Sequence, residues 1–400
     1  MRILSLTAQK PDSTGSGVFL TELVRGFAAQ GHSQAVLCGT LEGEDIRLPE
    51  GVKLYPVFYN SKELPFPICG MSDEMPYAST RYRDLSEAMT RQLMGAFRRA
   101  LAQAVAEFVP DVILCHHLYF LAALARQMFP HIPVYGQCHG SDLRQLATNP
   151  WQGDWIKEEI RDLTGIFALH EAQKKQICDI FDLHESRVTV VGTGYNSGVF
   201  FRDETAKAER DSDKFRFLFA GKLSEKKGVY SLLRCLSHLE KPENTEILLA
   251  GGCGSDTELE KLREMARKCP CQVIFLGKLD QKTLAKRMNQ SDAFILPSFY
   301  EGLPLVLIEA MACGLKTVCT DLPGIRPWLD RALPENGTIF VAPPQMRNTD
   351  EPIPESLPDF EIRLARAMDD ARQAKLPHEQ QVAALSWGAL CEKLSQIFRR

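Results

Sequence analysis

The 400-residue chain has no long hydrophobic run, no excess of charge of either sign and no clustered cysteines, and each absence excludes a class of protein. Its longest apolar run, near residues 118–125, is far shorter than the roughly 20 residues that cross a bilayer. The 47 Lys and Arg residues nearly balance the 51 Asp and Glu residues, so nucleic-acid binding, which needs a broad basic face, is not expected. The N-terminal segment lacks the pattern of a secretory signal. We therefore expect a soluble, cytoplasmic protein.

The twelve cysteines form no C-x-x-C pair and have no histidine at zinc-site spacing. Only Cys269 and Cys271 lie close together in the sequence. Several others fall in strand-like apolar runs, where a thiol behaves as a small hydrophobic side chain. The pattern predicts reduced, structural cysteines and no metal site.

Short β-branched and aromatic runs alternate with longer helical patterns along the chain. Most of these runs are continuously apolar, which is typical of parallel strands buried on both faces. The repeated order of strand, helix and strand predicts an α/β fold with parallel sheets and right-handed crossovers. The predicted strands cover residues 2–6, 34–38, 52–57, 112–115, 133–138, 165–169, 188–191, 215–220, 245–250, 272–276, 293–296, 317–320 and 338–341. The predicted helices cover residues 19–30, 82–108, 229–239, 257–268, 281–289, 304–313, 359–370 and 379–398.

The alternation pauses at residues 196–214, which are charged and rich in turn formers and are therefore predicted to be a linker. This predicts two Rossmann-like domains, at residues 1–195 and 215–375, followed by a C-terminal helix at 376–400 that crosses back to the first domain. Ligands of open α/β sheets bind at the carboxyl ends of the strands. A central cleft at those ends is therefore the expected site.

A glycine-containing turn, Gly15-Ser16-Gly17, stands before the first predicted helix. Backbone amides at the start of a helix can bind an anion. A tight strand-to-helix turn is an equally weighted alternative. Leu20 occupies the position of the third glycine in the dinucleotide fingerprint, which disfavours a NAD site.

Three histidines follow two predicted strands. His139, at a carboxyl end, could donate a hydrogen bond to a sugar hydroxyl or act in acid–base chemistry. The alternative, favoured when the motif is considered alone, is a loop histidine with Asp142 capping the next helix. Adjacent residues do not share a face, so the pair His116-His117 does not support a metal site.

The second half opens with a strand and a basic loop that carries Lys222 and Lys227. Ammonium groups in this position can neutralise the charge that develops on a diphosphate leaving group. A charged, solvated turn is the alternative.

Residues 296–314 carry the strongest signal in the chain. Glu301 precedes a predicted helix that starts near Pro304, and Gly302 and Leu303 would present free amides at its first turn. Glu309, eight positions after Glu301, lies in an apolar helical run, where a carboxylate needs a partner. Because of this spacing, we do not expect Glu301 and Glu309 to form a close acid–base pair. The spacing suits two separate roles in binding hydroxyl groups.

These segments resemble retaining glycosyltransferase family 4. Glu301 and Glu309 are similar to its E-x7-E motif, in the setting P-S-x-x-E-G-x-P…E-A-M-A-x-G. The loop with Lys222 and Lys227 resembles the family's donor-phosphate loop, and the four residues from His139 resemble its H-G-x-D loop. The match is dense from residue 215 to about 324 and patchy before that, but all blocks follow the family's order.

The resemblance implies a GT-B fold, with an acceptor-side first domain and a donor-binding second domain. It implies transfer of a hexosyl group from a nucleotide-diphosphate-sugar donor to an acceptor hydroxyl, with retention by a front-face route and without a bound metal or cofactor. The catalytic residues would be His139, Lys222, Lys227 and Glu301. The donor-binding residues would be Gly15, Ser16, Gly17, Lys222, Lys227, Glu301, Gly302, Leu303, Pro304 and Glu309.

Within this set, Lys222 and Lys227 would bind the diphosphate, Glu301 the sugar and Glu309 the ribose. His139 would contact the sugar near the reacting carbon, and Gly17 would lie against the diphosphate. Family members commonly carry arginine at the position of Lys222, and lysine cannot reproduce its bidentate contact with phosphate. The alternatives are a sugar-nucleotide epimerase or phosphorolytic enzyme of the same fold, and a non-catalytic module that binds nucleotide sugars.

The acceptor is not identified by the sequence and would be a saccharide, a lipid-linked compound or a small molecule. Variable loops of the first domain, chiefly residues 60–80, would bind it. Residues 82–108 have two interpretations. They could form an amphipathic basic helix in peripheral contact with the inner face of the membrane. The favoured interpretation is a surface helix that packs on its own sheet. Five arginines flank its apolar face, namely Arg81, Arg83, Arg91, Arg98 and Arg99, and the face itself carries Leu85, Met89, Leu93 and Phe97.

Overall fold

The structure is a computed structural model that describes residues 1–11, 13–72, 75–149, 151–210, 212–348, 351–376 and 379–399. The chain forms two compact units: unit 1 comprises Met1–Thr193 and Trp387–Arg400, and unit 2 comprises Gly194–Ser386. Each unit is an α/β structure built on a parallel sheet. The predicted fold class is confirmed.

The strands are β1 (Arg2–Thr7), β2 (Ser33–Leu41), β3 (Lys53–Tyr59), β4 (Ile68–Gly70), β5 (Ser79–Arg81), β6 (Val112–His116), β7 (Val134–Gln137), β8 (Gly165–Ala168), β9 (Val188–Val190), β10 (Phe215–Ala220), β11 (Thr245–Ala250), β12 (Gln272–Gly277), β13 (Ala293–Leu296), β14 (Lys316–Thr320) and β15 (Ile339–Val341). The helices are α1 (Gly15–Ala29), α2 (Glu87–Phe108), α3 (Phe120–Met128), α4 (Ser141–Thr148), α5 (Gly153–Arg161), α6 (Glu171–Phe181), α7 (Glu204–Ala208), α8 (Val229–Cys235), α9 (Asp256–Arg267), α10 (Gln281–Asn289), α11 (Leu305–Ala312), α12 (Ile325–Ala332), α13 (Leu357–Ala371), α14 (Glu379–Ala383) and α15 (Trp387–Phe398).

The two main sheets share one topology. Unit 1 has the strand order β3-β2-β1-β6-β7-β8-β9, and unit 2 has the order β12-β11-β10-β13-β14-β15. In both, the chain runs outward from the first strand to one edge and then returns to the other side, so the switch point lies beside the first strand. Ligands of such sheets bind at the carboxyl ends of the strands that flank this point.

The predicted linker at residues 196–214 is part of unit 2 and contains helix α7. The amide of Asp203 donates to the Oδ1 atom of Asn289 in α10 at 2.8 Å, and the Oδ1 atom of Asp203 caps α7. This charged segment contains a short, capped helix on the surface of unit 2. The helix is too short to show a hydrophobic periodicity in the sequence, so the sequence did not predict it.

The single helix predicted for residues 379–398 is two helices, α14 and α15. They are separated at residues 384–386, immediately before the chain passes from unit 2 to unit 1. Helix α15 packs on α1 in unit 1, where the rings of Phe398 and Phe27 lie 6.0 Å apart and the Sγ atom of Cys391 contacts the carbonyl of Leu23. The break follows from the division of the two helices between different cores.

Helix α2 buries its apolar face in unit 1. Leu93 and Phe97 are fully buried in the core. The exposed arginines include Arg81, paired with Asp84, and Arg91, paired with Glu87. The structure therefore agrees with a surface helix that packs on its own sheet. Among the described residues, none of the helices has the length and hydrophobicity needed to traverse a membrane.

In the part of the chain that the structure describes, none of the cysteines forms a disulfide bond, and most of them are buried. Burial raises the pKa of Cys69 and Cys391 to about 12 in each case. Such thiols stay protonated at neutral pH and pack as hydrophobic side chains, in agreement with the prediction of structural cysteines.

Candidate active-site residues in the two units

The candidate residues of each unit lie after the strands that flank its switch point. In unit 1, the turn with Gly15 follows β1, His117 follows β6 and His139 follows β7. In unit 2, the lysine loop follows β10 and Glu301 follows β13, the neighbour of β10 in the sheet. The topology therefore explains why residues far apart in the sequence form one group in each unit.

In unit 2, the structure brings Lys227 and Glu301 together. The Nζ atom of Lys227 donates to the Oε1 atom of Glu301 at 2.7 Å, and the Oγ atom of Ser298 donates to the same oxygen at 2.7 Å. The Glu301 side chain is 13% exposed and that of Lys227 is 31% exposed. The Oε2 atom of Glu301 makes no hydrogen bond with the described residues, so it can accept one from a ligand.

The loops after β10 and β13 abut closely because Gly228 has no side chain. Its φ angle is +69°, and a Cβ atom at this position would lie 2.0 Å from the carbonyl oxygen of Pro297. The amide of Phe299 also donates to the carbonyl of Lys226 at 2.9 Å. These backbone contacts set the separation of Lys227 and Glu301.

Glu301 is followed by the start of helix α11. Leu303 and Pro304 are buried, and Pro304 occupies the N-cap position without a side-chain cap. Within the described part of the chain, the amides of Gly302 and Leu303 donate no hydrogen bond. Free amides at a helix start favour a negatively charged group.

Lys222 and Glu309 lie in the same unit as this ion pair. Lys222 is exposed and lies beside the loop after β11, where a Cβ atom on Gly254 would be 4.0 Å from its Nζ atom. Glu309 is half-buried in α11, and its negative charge adds to the burial that raises the pKa of Cys313 to about 12.

The glycine-rich loop after β11, residues 251–254, was missed in the sequence. Gly251 has a φ angle of +152°, and a Cβ atom there would lie 1.7 Å from the carbonyl oxygen of Gly221. The signal in the sequence that could have revealed this loop is the presence of three glycines, Gly251, Gly252 and Gly254, directly after a predicted buried strand. The loop brings the backbone of Gly254 next to Lys222.

In unit 1, helix α1 begins at Gly15, four residues earlier than predicted, so Gly17 lies inside its first turn. The hydroxyl of Thr14 caps the helix and accepts from the amide of Gly17 at 3.2 Å. The Oγ atom of Ser16 lies 3.1 Å from the Nε2 atom of His117. Ser16 therefore joins the turn to the histidines.

The sequence predicts that His116 and His117, as adjacent residues, do not share a face, but in the structure both rings lie next to His139. The Nδ1 atom of His116 is 3.3 Å from the Nε2 atom of His139, and the ring centroids of His117 and His139 are 4.9 Å apart. His117 has a φ angle of +85°, which is uncommon for a residue with a side chain and is found at functional sites. This turn of the backbone brings two adjacent side chains to one place, and the sequence gives no sign of it.

The histidine cluster (His116, His117 and His139) is neutral. Burial holds the pKa of His139 well below its usual range, and the charges of His117 and His116 would lower it further. Burial also lowers the pKa of His116 to about 3. Among the described residues, no three His, Cys, Asp or Glu side chains are arranged to hold a metal ion.

Asp142 does not cap a helix as one interpretation of the sequence had it. It lies inside α4 and is fully buried. Its Oδ2 atom accepts from the amide of Leu118 at 2.8 Å, and both its oxygens lie 3.3 Å from the amide of His139. Asp142 thus fixes the loop after β6 to the loop after β7 and so sets the positions of the histidines.

Replacing Asp142 with alanine should lower the free energy of unfolding of unit 1 by about 2–3 kcal/mol, because buried amides lose their acceptor. Hydrogen exchange of the β6 and β7 amides, measured by mass spectrometry, reports this change. Asp111, an exposed residue that accepts from the amide of Arg2 at 2.8 Å, provides the matched control: Asp111→Ala should cost under about 1 kcal/mol. Equal effects of the two substitutions would contradict the structural role of Asp142.

Two family models cover most of the chain. The model of Glycosyltransferase Family 4 matches residues 13–198, and the model of Glycosyl transferases group 1 matches residues 200–353. A Mycobacterium tuberculosis glycogen synthase is 24% identical over 349 residues, covering 81% of this chain and 79% of that protein. An uncharacterised glycosyltransferase of Methanocaldococcus jannaschii is 28% identical over 168 residues, covering 40% of this chain and only 43% of its own length.

Solved structures share the fold along the whole chain. The sucrose-phosphate synthase of Thermosynechococcus elongatus has a TM-score of 0.68 at 16% identity, covering 100% of this chain and 98% of its own. Anabaena HepE in complex with UDP-glucose has a TM-score of 0.63 at 13% identity, covering 100% and 99%.

The fold is therefore GT-B, two Rossmann-like units with parallel sheets. With the family matches and the named relatives, this makes the chain a GT-B glycosyltransferase, an enzyme of the hexosyltransferase type.

Proposed function

We propose that this enzyme transfers a hexosyl group from a nucleotide-diphosphate-sugar donor to an acceptor hydroxyl, with retention at the anomeric carbon, as a member of retaining glycosyltransferase family 4. The observation that carries the proposal is the ion pair of Lys227 and Glu301, which joins two loops at the switch point of unit 2. An ammonium group and a carboxylate at this place suit a ligand that has both phosphate and hydroxyl groups.

In the proposed reaction, the bond between the anomeric carbon and the phosphate oxygen breaks, and a bond from that carbon to the acceptor oxygen forms on the same face. The departing phosphate oxygen takes the acceptor's proton, so no protein nucleophile or general base is required. Negative charge grows on the diphosphate as the bond breaks. Lys227, Lys222 and the amides of Gly302 and Leu303 stabilise that charge more in the transition state than in the ground state.

The other residues bind and orient. The free Oε2 atom of Glu301 accepts a hydrogen bond from a hydroxyl of the sugar, and the carboxylate of Glu309 binds the ribose diol. Pro304, the N-cap residue of α11, has a fixed φ angle and restricts the backbone of Leu303 before it, which limits the directions of the free amides. These groups supply the charge stabilisation that a divalent cation provides in other enzymes, and the proposed reaction is independent of metal.

In unit 1, His139 is proposed to contact the transferred sugar, and the turn of Gly15, Ser16 and Gly17 is proposed to contact the diphosphate. The hydroxyl of Thr14 already accepts a hydrogen bond from the amide of Gly17. The backbone of Gly15 and Ser16 is therefore proposed to contact the diphosphate more than the amide of Gly17 does. The acceptor is proposed to bind near residues 60–80, which include strand β4 and the first two residues of β5.

A panel of nucleotide sugars in a thermal-shift assay tests the donor. UDP-glucose comes first, because HepE was crystallised with it. A donor at one hundred times its Kd should stabilise the protein by about 2.7 kcal/mol and raise Tm by several degrees, whereas the nucleoside monophosphate should raise it less because it lacks the second phosphate. Proton NMR of the product then reports the anomeric configuration. A panel in which no nucleotide sugar raises Tm would refute the proposal, and an inverted product would refute retention.

A further inference from the structure

His116 and His139 form a hydrogen-bonded pair of rings. The Nδ1 atom of His116 lies 3.3 Å from the Nε2 atom of His139, and the two rings are nearly parallel, at 16°, with centroids 5.5 Å apart. The ring of Phe19 meets His139 edge-on at 5.1 Å, and Asp142 holds its backbone amide. The orientation of the His139 ring is therefore fixed from several sides.

The contact between these two nitrogens needs one hydrogen and one lone pair. Both rings are neutral, because burial lowers the pKa of each. A neutral imidazole carries its single N–H on either Nδ1 or Nε2. The proton is therefore either on Nδ1 of His116 or on Nε2 of His139, and the surroundings of His116 decide between the two.

The other nitrogen of His116 favours the first arrangement. Its Nε2 atom is buried and has no partner among the described residues. If Nε2 carried the proton, the protein would contain a buried N–H without an acceptor, which is rarer and more costly than a buried lone pair without a donor. Gln137 is the register partner of His116 on β7, and its Oε1 atom lies on the same face of the sheet. That oxygen also has no hydrogen-bond partner among the described residues, so it does not accept a hydrogen bond from Nε2 of His116.

With its proton on Nδ1, His116 donates to Nε2 of His139, and His139 must then carry its own proton on Nδ1. The Nδ1 atom of His139 makes no hydrogen bond with the described residues, and the side chain is partly exposed. It is therefore an N–H group that can reach a ligand.

We propose that His116 is a positioning residue that holds His139 as the Nδ1–H tautomer, so that His139 offers a hydrogen-bond donor, and not a lone pair, to an oxygen of the bound sugar. This inference rests on the proposed function only for the identity of the ligand. According to this inference, His139 donates a hydrogen bond to an oxygen atom of the ligand and does not act as a general base. The inference also gives a role to His116, which the sequence had left without one.

The tautomers can be read without any substrate. In a protein labelled with nitrogen-15 histidine, the two ring nitrogens give different chemical shifts when protonated and when not, and His139→Gln identifies the signals of His139 by their loss. His170 is an internal reference, because its Nδ1 atom accepts from the amide of Gln173 at 3.1 Å and its proton must be on Nε2. We expect His139 to show the opposite pattern from His170. If His139 of the unmodified protein carries its proton on Nε2, the proposal is wrong.

Two substitutions separate the hydrogen bond from packing. His116→Phe keeps a ring but removes the donor, and it should shift the tautomer ratio of His139 by about five- to tenfold toward Nε2–H, the effect of one net hydrogen bond. His116→Asn retains an N–H near the position of Nδ1 and should restore the Nδ1–H form. An unchanged ratio in both variants, with unchanged hydrogen exchange in β6, would overturn the role of His116. These measurements use the protein without a nucleotide sugar. Failure of every nucleotide sugar to bind would therefore refute the proposed function and leave the tautomer of His139 unaffected.

Discussion

Lys227→Ala should lower the turnover number for sugar transfer, and for the slower hydrolysis of the donor, by roughly 10²–10³, the effect of losing one preorganised group that stabilises an oxyanion. The physical reason is that Lys227 is the ammonium group held at 2.7 Å from Glu301, so its position is fixed before the charge develops. KM for the donor should change less than kcat, because the developing charge is greatest in the transition state. Steady-state kinetics with the donor found in the thermal-shift panel give both values.

The neighbouring lysine is the matched control. Lys226 is exposed, and its carbonyl, which alanine retains, accepts from the amide of Phe299. Lys226→Ala should therefore stay within about twofold of the unmodified enzyme, as is usual for surface substitutions. Near-normal turnover of Lys227→Ala, or an equal loss in Lys226→Ala, would show that the Lys227 ammonium group does not stabilise the transition state.

Gly251→Ala should destabilise unit 2 by about 3–4 kcal/mol, at the upper end of single substitutions. A methyl group there would lie 1.7 Å from the carbonyl oxygen of Gly221, and the φ angle of +152° is one that alanine rarely adopts. The loops after β10 and β11 must therefore separate, which also moves Lys222. Hydrogen exchange of the β11 amides measures the loss within unit 2 itself.

Gly277 allows strain and collision to be distinguished. It also has a positive φ angle, +69°, but a Cβ atom there would meet nothing within 4 Å. Gly277→Ala should therefore cost only about 1–2 kcal/mol, the price of the left-handed conformation. If the two substitutions cost the same, the close approach of the loops is not what requires a glycine at position 251.

The sequence was sufficient for the elements that depend on local pattern. The strands at 215–220, 245–250 and 293–296 were predicted with the bounds that the structure has, because continuous apolar runs define strands buried on both faces. The pairing of the Lys227 loop with Glu301 was also foreseeable in outline, since both follow strands that a doubly wound sheet makes neighbours. Their roles in donor binding remain predictions.

The features that were missed depend on backbone conformation or on distant contacts. Nothing in the sequence shows that His117 adopts a φ angle of +85°, and without that angle His116 and His117 would point apart. The cap at Thr14, which extends α1 to Gly15, is a common signal that the glycines obscured. The break between α14 and α15 arises because the two helices belong to different units, which hydrophobic periodicity does not reveal.

Helix α15 has a consequence for the order in which the protein matures during synthesis. Unit 1 is discontinuous in the sequence, and its last helix supplies Trp387, Leu394 and Phe398 to a hydrophobic surface that includes Phe19 and Phe27 of α1. The ribosome makes the first 193 residues of unit 1 before any of unit 2, but these residues await the stretch from 387 onward for their final packing. Unit 2, which is continuous, can finish folding first, while the aromatic side chains of α1 depend meanwhile on chaperones or transient contacts for protection from aggregation.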